Sequence, residues 1–104
     1  MVSPVPVKLN LPELKHNTDI VTATLAERGS RYGTFTDNAH VAQYLKTLFR
    51  NQRVWNNMQA DQMEALDLIA LKLSRILTGD PHYADNWVDI AGYAKLVADR
   101  IEKK

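Results

Sequence analysis

Lys72 and Arg75 stand three residues apart; Asp85 and Asp89, a short stretch later, stand four apart. On a helix either spacing puts both members of a pair on one side. Two cations within reach of two carboxylates can neutralise one another as an interhelical salt-bridge cluster, the common fate of charged helix surfaces. Alternatively, the carboxylates can hold a hard divalent cation such as Mg²⁺ while the cations hold a phosphate. The spacing leaves both open.

Four helices are predicted to position these groups. The first runs from Ile20 to Arg28 behind an N-cap at Thr18 or Asp19, and Gly29 ends it. Residues 29–36 read as a loop with two glycines, and Thr36 or Asp37 caps a second helix reaching about Asn51. Asn51 to Asn57 reads as a connector or short helical turn with Trp55 as anchor. The third helix spans about Asp61 to Thr78 and stops at Gly79-Asp80-Pro81; the fourth spans about Ala84 to Glu102. Their short link predicts an antiparallel hairpin with Arg75 level with Trp87 and Lys72 level with Ile90. Residues 1–17, with Pro4, Pro6 and Pro12 among valines and leucines, read as an extended arm, and 18–104 as one domain. The expected fold is all-α, about four helices with a C-terminal hairpin.

Helical-wheel placement assigns Ala65, Leu66, Ile69, Leu73, Ile76 and Leu77 to the core side of the third helix. The same placement assigns Trp87, Ile90, Ala94, Val97, Ala98 and Ile101 to the core side of the fourth. The other sides mix charges with aliphatics: Glu64, Asp67, Lys72 and Arg75 around Leu68 and Leu71, then Asp85, Asp89, Tyr93, Leu96 and Arg100. A purely solvated face rarely gathers so many leucines, so a subunit interface, a ligand cleft, or both are expected there. Gly92 inside the fourth helix predicts close approach of another helix or a ligand, since a mid-helix glycine costs about 1 kcal/mol relative to alanine.

Composition narrows the classes. The chain has 104 residues, enough for one domain. Thirteen basic and twelve acidic residues give a formal charge of +1, with no general attraction to nucleic acid or anionic membrane. The absence of cysteine excludes disulfides, thiol catalysis and zinc fingers. No apolar run approaches the ~20 residues of a membrane span, and the proline-broken N-terminus does not read as a signal peptide, so the cytoplasm is the expected location. His16, His40 and His82 lack zinc-ligand spacing, and phosphate-binding Gly-rich loops and nucleophile elbows are missing.

The segment Lys72-Leu73-Ser74-Arg75 followed by Asp85-Asn86-Trp87-Val88-Asp89-Ile90-Ala91-Gly92-Tyr93, with Tyr32-Gly33 upstream, resembles a family of small phage and prophage proteins over roughly residues 25–100. That family is distantly similar to the MazG-like all-α NTP pyrophosphohydrolases and to phage nucleotide-modification-associated domains. The resemblance implies a metal set in which Glu64 and Asp67 stand for the first acidic pair and Asp85 and Asp89 for the second, Asn86 holding a place where those enzymes carry a carboxylate. It implies that Asp89 and Asp85 serve catalysis through Mg²⁺, that Lys72 and Arg75 neutralise phosphate, that Tyr93 or Tyr32 stacks on a base, and that Arg28 and Arg31 clamp phosphate.

The expected function is therefore nucleotide binding, with Mg²⁺-dependent pyrophosphohydrolysis as one form. A non-catalytic oligomer that sequesters a nucleotide, including a host signalling nucleotide, is a second form, and a protein-interaction module without small ligand a third. The expected partners are a nucleotide and further copies of the chain, in the cytoplasm of a bacterial host; membrane and nucleic acid are not expected partners.

Overall fold

The computed structural model describes residues 11–103, which form four α-helices and no strand. Helix α1 is Leu11–Tyr32, α2 Phe35–Arg50, α3 Ala60–Thr78 and α4 Ala84–Lys103, with a 3₁₀ turn at Trp55–Asn57 between α2 and α3. The third and fourth helices begin and end within about a residue of their sequence-read limits. The first does not: it starts at Leu11, so residues 11–17, read as extended arm, are helical. The rest of the arm lies outside the described residues.

The α1–α2 joint is shorter than the sequence suggested. Helix α1 continues through Gly29 to Tyr32, and Gly33, at φ 83°, ends it, with the Gly33 N–H donating to the Gly29 carbonyl at 3.0 Å. A left-handed residue after the last turn is the usual helix stop, and glycine adopts it without steric cost. The N-cap of α2 is Thr34, whose hydroxyl accepts from the Asp37 N–H at 3.2 Å, two or three residues before the expected cap. At the start of α3, the Gln59 N–H donates to the Gln62 side chain at 2.8 Å.

Helix α3 is the hub and packs on α2, α4 and the end of α1. Gly33 and Gly79 make the α1 contact possible. A Cβ on Gly33 would collide with the Thr78 carbonyl, and one on Gly79 would collide with the backbone of Tyr32. Across this crossing the Asp80 N–H donates to the Arg31 carbonyl at 2.8 Å. Buried Asn38 ties α2 to the same place: its amide donates to the Thr34 carbonyl at 2.9 Å, and its oxygen lies 3.0 Å from Thr78 Oγ1 and 3.4 Å from Ser74 Oγ. A buried carboxamide is retained when its groups are satisfied in this way.

The apolar core is small. Among the described residues only Ala42, Trp55, Ala70 and Ile76 are buried apolar side chains, with Phe49 stacked on Trp55 at 5.9 Å between ring centres. The predicted stripes are therefore corrected. Leu77 is 69% exposed, and on α4 Trp87, Ala94, Ala98 and Ile101 all face solvent. The side of α4 that meets α3 carries buried Asn86 with half-buried Asp89, Tyr93 and Val97, so of the predicted stripe Val97 faces α3 and Ile90 is half-buried, while the other four are not core. Gly92 has open space where a Cβ would stand, so no part of the described chain makes the close approach expected there.

Candidate functional site

Antiparallel packing of α3 and α4 gives the register read from the sequence. Lys72 Nζ lies 2.8 Å from Asp89 Oδ2, with the lysine side chain 11% exposed and the carboxylate 43%. The remaining groups of the expected cluster go elsewhere. Asp85 accepts from the Tyr83 hydroxyl and raises that phenol's pKa, chiefly through this hydrogen bond. Asp67 turns toward α2 and takes a bidentate bond from Arg50 at 2.7 and 3.0 Å. Glu64 is exposed on the rim of the α3–α4 groove. Among the described residues no three His, Cys, Asp or Glu side chains gather closely enough to hold a metal ion. Glu64, Asp67, Asp85 and Asp89 thus do not form a set that fits Mg²⁺ in this arrangement of the chain.

Among the described residues five cations are held by carboxylates. Besides Lys72 and Arg50, they are Arg31 with Glu27 at 2.9 Å, Lys95 with Asp99 at 3.0 Å and Arg100 with Asp61 at 2.7 Å. The Arg100 hydrogen bond holds the Asp61 carboxyl below its ordinary pKa. Arg31 lies over the Tyr83 ring at 4.7 Å, and its bond to Glu27 raises its already high pKa. The predicted phosphate clamp at Arg31 is therefore spoken for.

Arg28, Lys46 and Arg75 differ: their side chains have no hydrogen-bonded or ionic partner among the described residues. Arg75 Cζ lies over the Tyr32 ring, 4.3 Å from its centre, a cation–π contact that holds the guanidinium and leaves its N–H donors available. Two adjoining clefts meet at this residue. One, of about 140 Å³, is lined by Leu25, Arg28, Tyr32, Phe35, Asn38 and Arg75. The other, of about 200 Å³, is lined by Phe35, Asn38, Gln43, Lys46, Leu71 and Arg75. Neither is lined by a carboxylate. Phe35, shared by both, is 85% exposed.

Of the ten site residues read from the sequence, Arg28, Tyr32 and Arg75 come together at these clefts. Lys72 and Asp89 come together as a pair, while Tyr93 lines a separate groove of about 310 Å³ between α3 and α4, alongside Glu64, Leu68, Leu96 and Arg100. Lys46, Phe35 and Gln43 were missed. Their signal was present: Phe35 begins α2, and Gln43 and Lys46 share one of its sides by their spacing of three. What the sequence did not carry was the fold-back of α2 onto Arg75.

No curated protein and no solved structure matches the chain. One family does, over residues 14–101, nearly the whole described structure and both halves of the Lys72–Tyr93 motif region. The chain therefore belongs to the family described as Domain of unknown function (DUF6378).

Proposed function

We propose that this protein binds a nucleotide at the junction of α1, α2 and α3, and that it works in a phage or prophage setting. One observation carries the reading: Arg28, Lys46 and Arg75, cations without acidic partners, converge on adjoining clefts that contain no carboxylate and expose an aromatic face. Unpaired guanidinium and ammonium groups recognise phosphate, and Arg does so bidentately. An exposed ring such as Phe35 suits a base, because every base has a π face. The two clefts together reach the lower end of the ~300–1,000 Å³ range of small-ligand sites.

The resemblance of the Lys72–Tyr93 segment to small phage and prophage proteins, a family in turn distantly similar to MazG-like enzymes, favours a nucleotide as the ligand class. The dispersal of Glu64, Asp67, Asp85 and Asp89 favours retention of the ligand over its hydrolysis, the sequestering form of the expectation. A bound ligand stabilises the native state by mass action, so a thermal-shift panel of nucleoside mono-, di- and triphosphates, with and without Mg²⁺, reads the proposal directly. The expected result is a dose-dependent rise in Tm that Arg28→Ala reduces, with no pyrophosphate or phosphate released. A flat panel, or a rise indifferent to Arg28→Ala and Lys46→Ala together, overturns the binding site. Turnover abolished by Asp89→Ala overturns the sequestering form and restores the hydrolase.

A further inference from the structure

A third cleft, of about 350 Å³, lies along α2 and is lined by Phe35, Thr36, Ala39, His40 and Gln43. It is larger than either cation cleft, and no Asp, Glu, Lys or Arg lines it. It adjoins the 200 Å³ cleft across one ridge of α2, because Phe35, Ala39 and Gln43 line both. These three residues stand four apart and so form a row along the helix. The middle one carries only a methyl group. The row therefore dips between an 85% exposed ring and an exposed carboxamide, and Lys46 and Arg75 stand on its inner flank. Helix side chains lean toward the N-terminus, which brings Gln43 back over the gap at Ala39.

We infer that the base of the bound nucleotide lies in this dip against Phe35, that Gln43 reads its edge, and that the base is a purine. The inference rests on the phosphate site proposed above and assigns the other end of the ligand. Cations alone would accept any polyanion; the neutral cleft beside them is what a nucleotide needs and an inorganic phosphate chain does not. Thr36, Gln43 and a neutral His40 can each donate and accept a hydrogen bond, and none of the three has a partner among the described residues. The edge of a base likewise offers both donors and acceptors and no charge. Stacking on an aromatic ring tolerates any base and grows with the overlap, so a two-ring base gains more on Phe35 than a one-ring base. Base and phosphates thus have separate seats, divided by the Phe35–Ala39–Gln43 row.

The test is isothermal titration of the full chain with sodium tripolyphosphate and with adenosine, guanosine, cytidine and uridine triphosphates. Wild type binds the purine triphosphates about tenfold more tightly than tripolyphosphate, the gain of one stacked base, and more tightly than the pyrimidine pair. Ala39→Leu fills the dip with a good helix former; it removes the purine gain and leaves tripolyphosphate affinity unchanged. Gln43→Ala, at an exposed position, weakens the purine triphosphates and not tripolyphosphate. Should Ala39→Leu lose tripolyphosphate as well, Gln43→Ala decides alone. Nucleoside triphosphates no tighter than tripolyphosphate, pyrimidines equal to purines, or purine affinity indifferent to Gln43→Ala overturn the inference and leave the cation site standing. Failure of every probe to bind overturns it together with the reading on which it rests.

Discussion

The α3–α4 hairpin and the α1–α2–α3 junction carry similar side chains and differ in what those side chains face. In the hairpin Lys72 meets Asp89 and Arg100 meets Asp61, so the positive charge is cancelled within a few ångströms. At the junction Arg28, Lys46 and Arg75 face no carboxylate, and the nearest partner of Arg75 is a tyrosine ring. A cation already in an ion pair must be stripped from it before it can hold a ligand; an unpaired one need not be. The contrast moves the candidate site away from the residues whose spacing looked most chemical and toward a place that spacing alone did not mark.

Substitutions can break the two regions separately. The largest effect on stability is expected at the junction's hinge. Gly33→Ala must hold an alanine at φ 83° with its Cβ driven into the Thr78 carbonyl. A loss of about 3 kcal/mol follows from left-handed strain and the collision, seen as a fall in denaturant midpoint with the slope unchanged. If Gly33→Ala melts like wild type, the crossing of α1 on α3 is not as described.

Next is Lys72→Met, which removes the hairpin's best-buried cation and leaves Asp89 without its partner. Loss of one member of a fully buried pair costs 3–5 kcal/mol, but Asp89 is 43% exposed and can be solvated, so about 1 kcal/mol is expected. Nucleotide affinity should be unchanged in this variant, whereas a phosphate site on the hairpin would lose it.

A change of similar size and opposite sign is predicted at Asn86. The residue is 1% exposed, and neither its side-chain nitrogen nor its oxygen has a hydrogen-bond partner among the described residues. Asn86→Leu removes two unsatisfied buried groups and should raise stability by about 1 kcal/mol, a gain of a few degrees in Tm. A clear drop instead would show that the carboxamide is satisfied in solution.

The smallest effect is electrostatic. Arg100 holds the Asp61 carboxyl below its ordinary value of 3.8. Its contribution to stability is therefore present above that value and lost as the pH falls through the lower folded pKa. Asp61→Asn should melt slightly below wild type at pH 7 and alongside it near pH 2; an equal gap at both would mean that charge is not what the pair contributes.

Much of the fold was legible, and the reasons for the misses are local. The ends of α3 and α4 were marked by Gly79-Asp80-Pro81 and by unbroken 3.6-residue periodicity, and the short link fixed the level of Lys72 and Asp89. Helix α1 ran past Gly29 because the cost of one glycine, about 1 kcal/mol, does not by itself stop a helix, and the true stop needed the positive φ of Gly33. The α4 stripe from Trp87 to Ile101 was read as core because a wheel reveals an apolar side without saying which chain covers it. The site was half legible. Arg28, Tyr32 and Arg75 were named from the sequence, but the pairing of Asp67 with Arg50, 17 residues apart, and the folding of Lys46 toward Arg75 are tertiary facts that no local spacing encodes.

The most direct test of this contrast is isothermal titration of the nucleotide giving the largest thermal shift into three proteins: wild type, the Arg28→Ala/Lys46→Ala double variant, and Lys72→Ala. The account predicts that the double variant loses at least tenfold in affinity while Lys72→Ala binds like wild type. Binding lost in Lys72→Ala and kept in the double variant would place the ligand on the hairpin and contradict it.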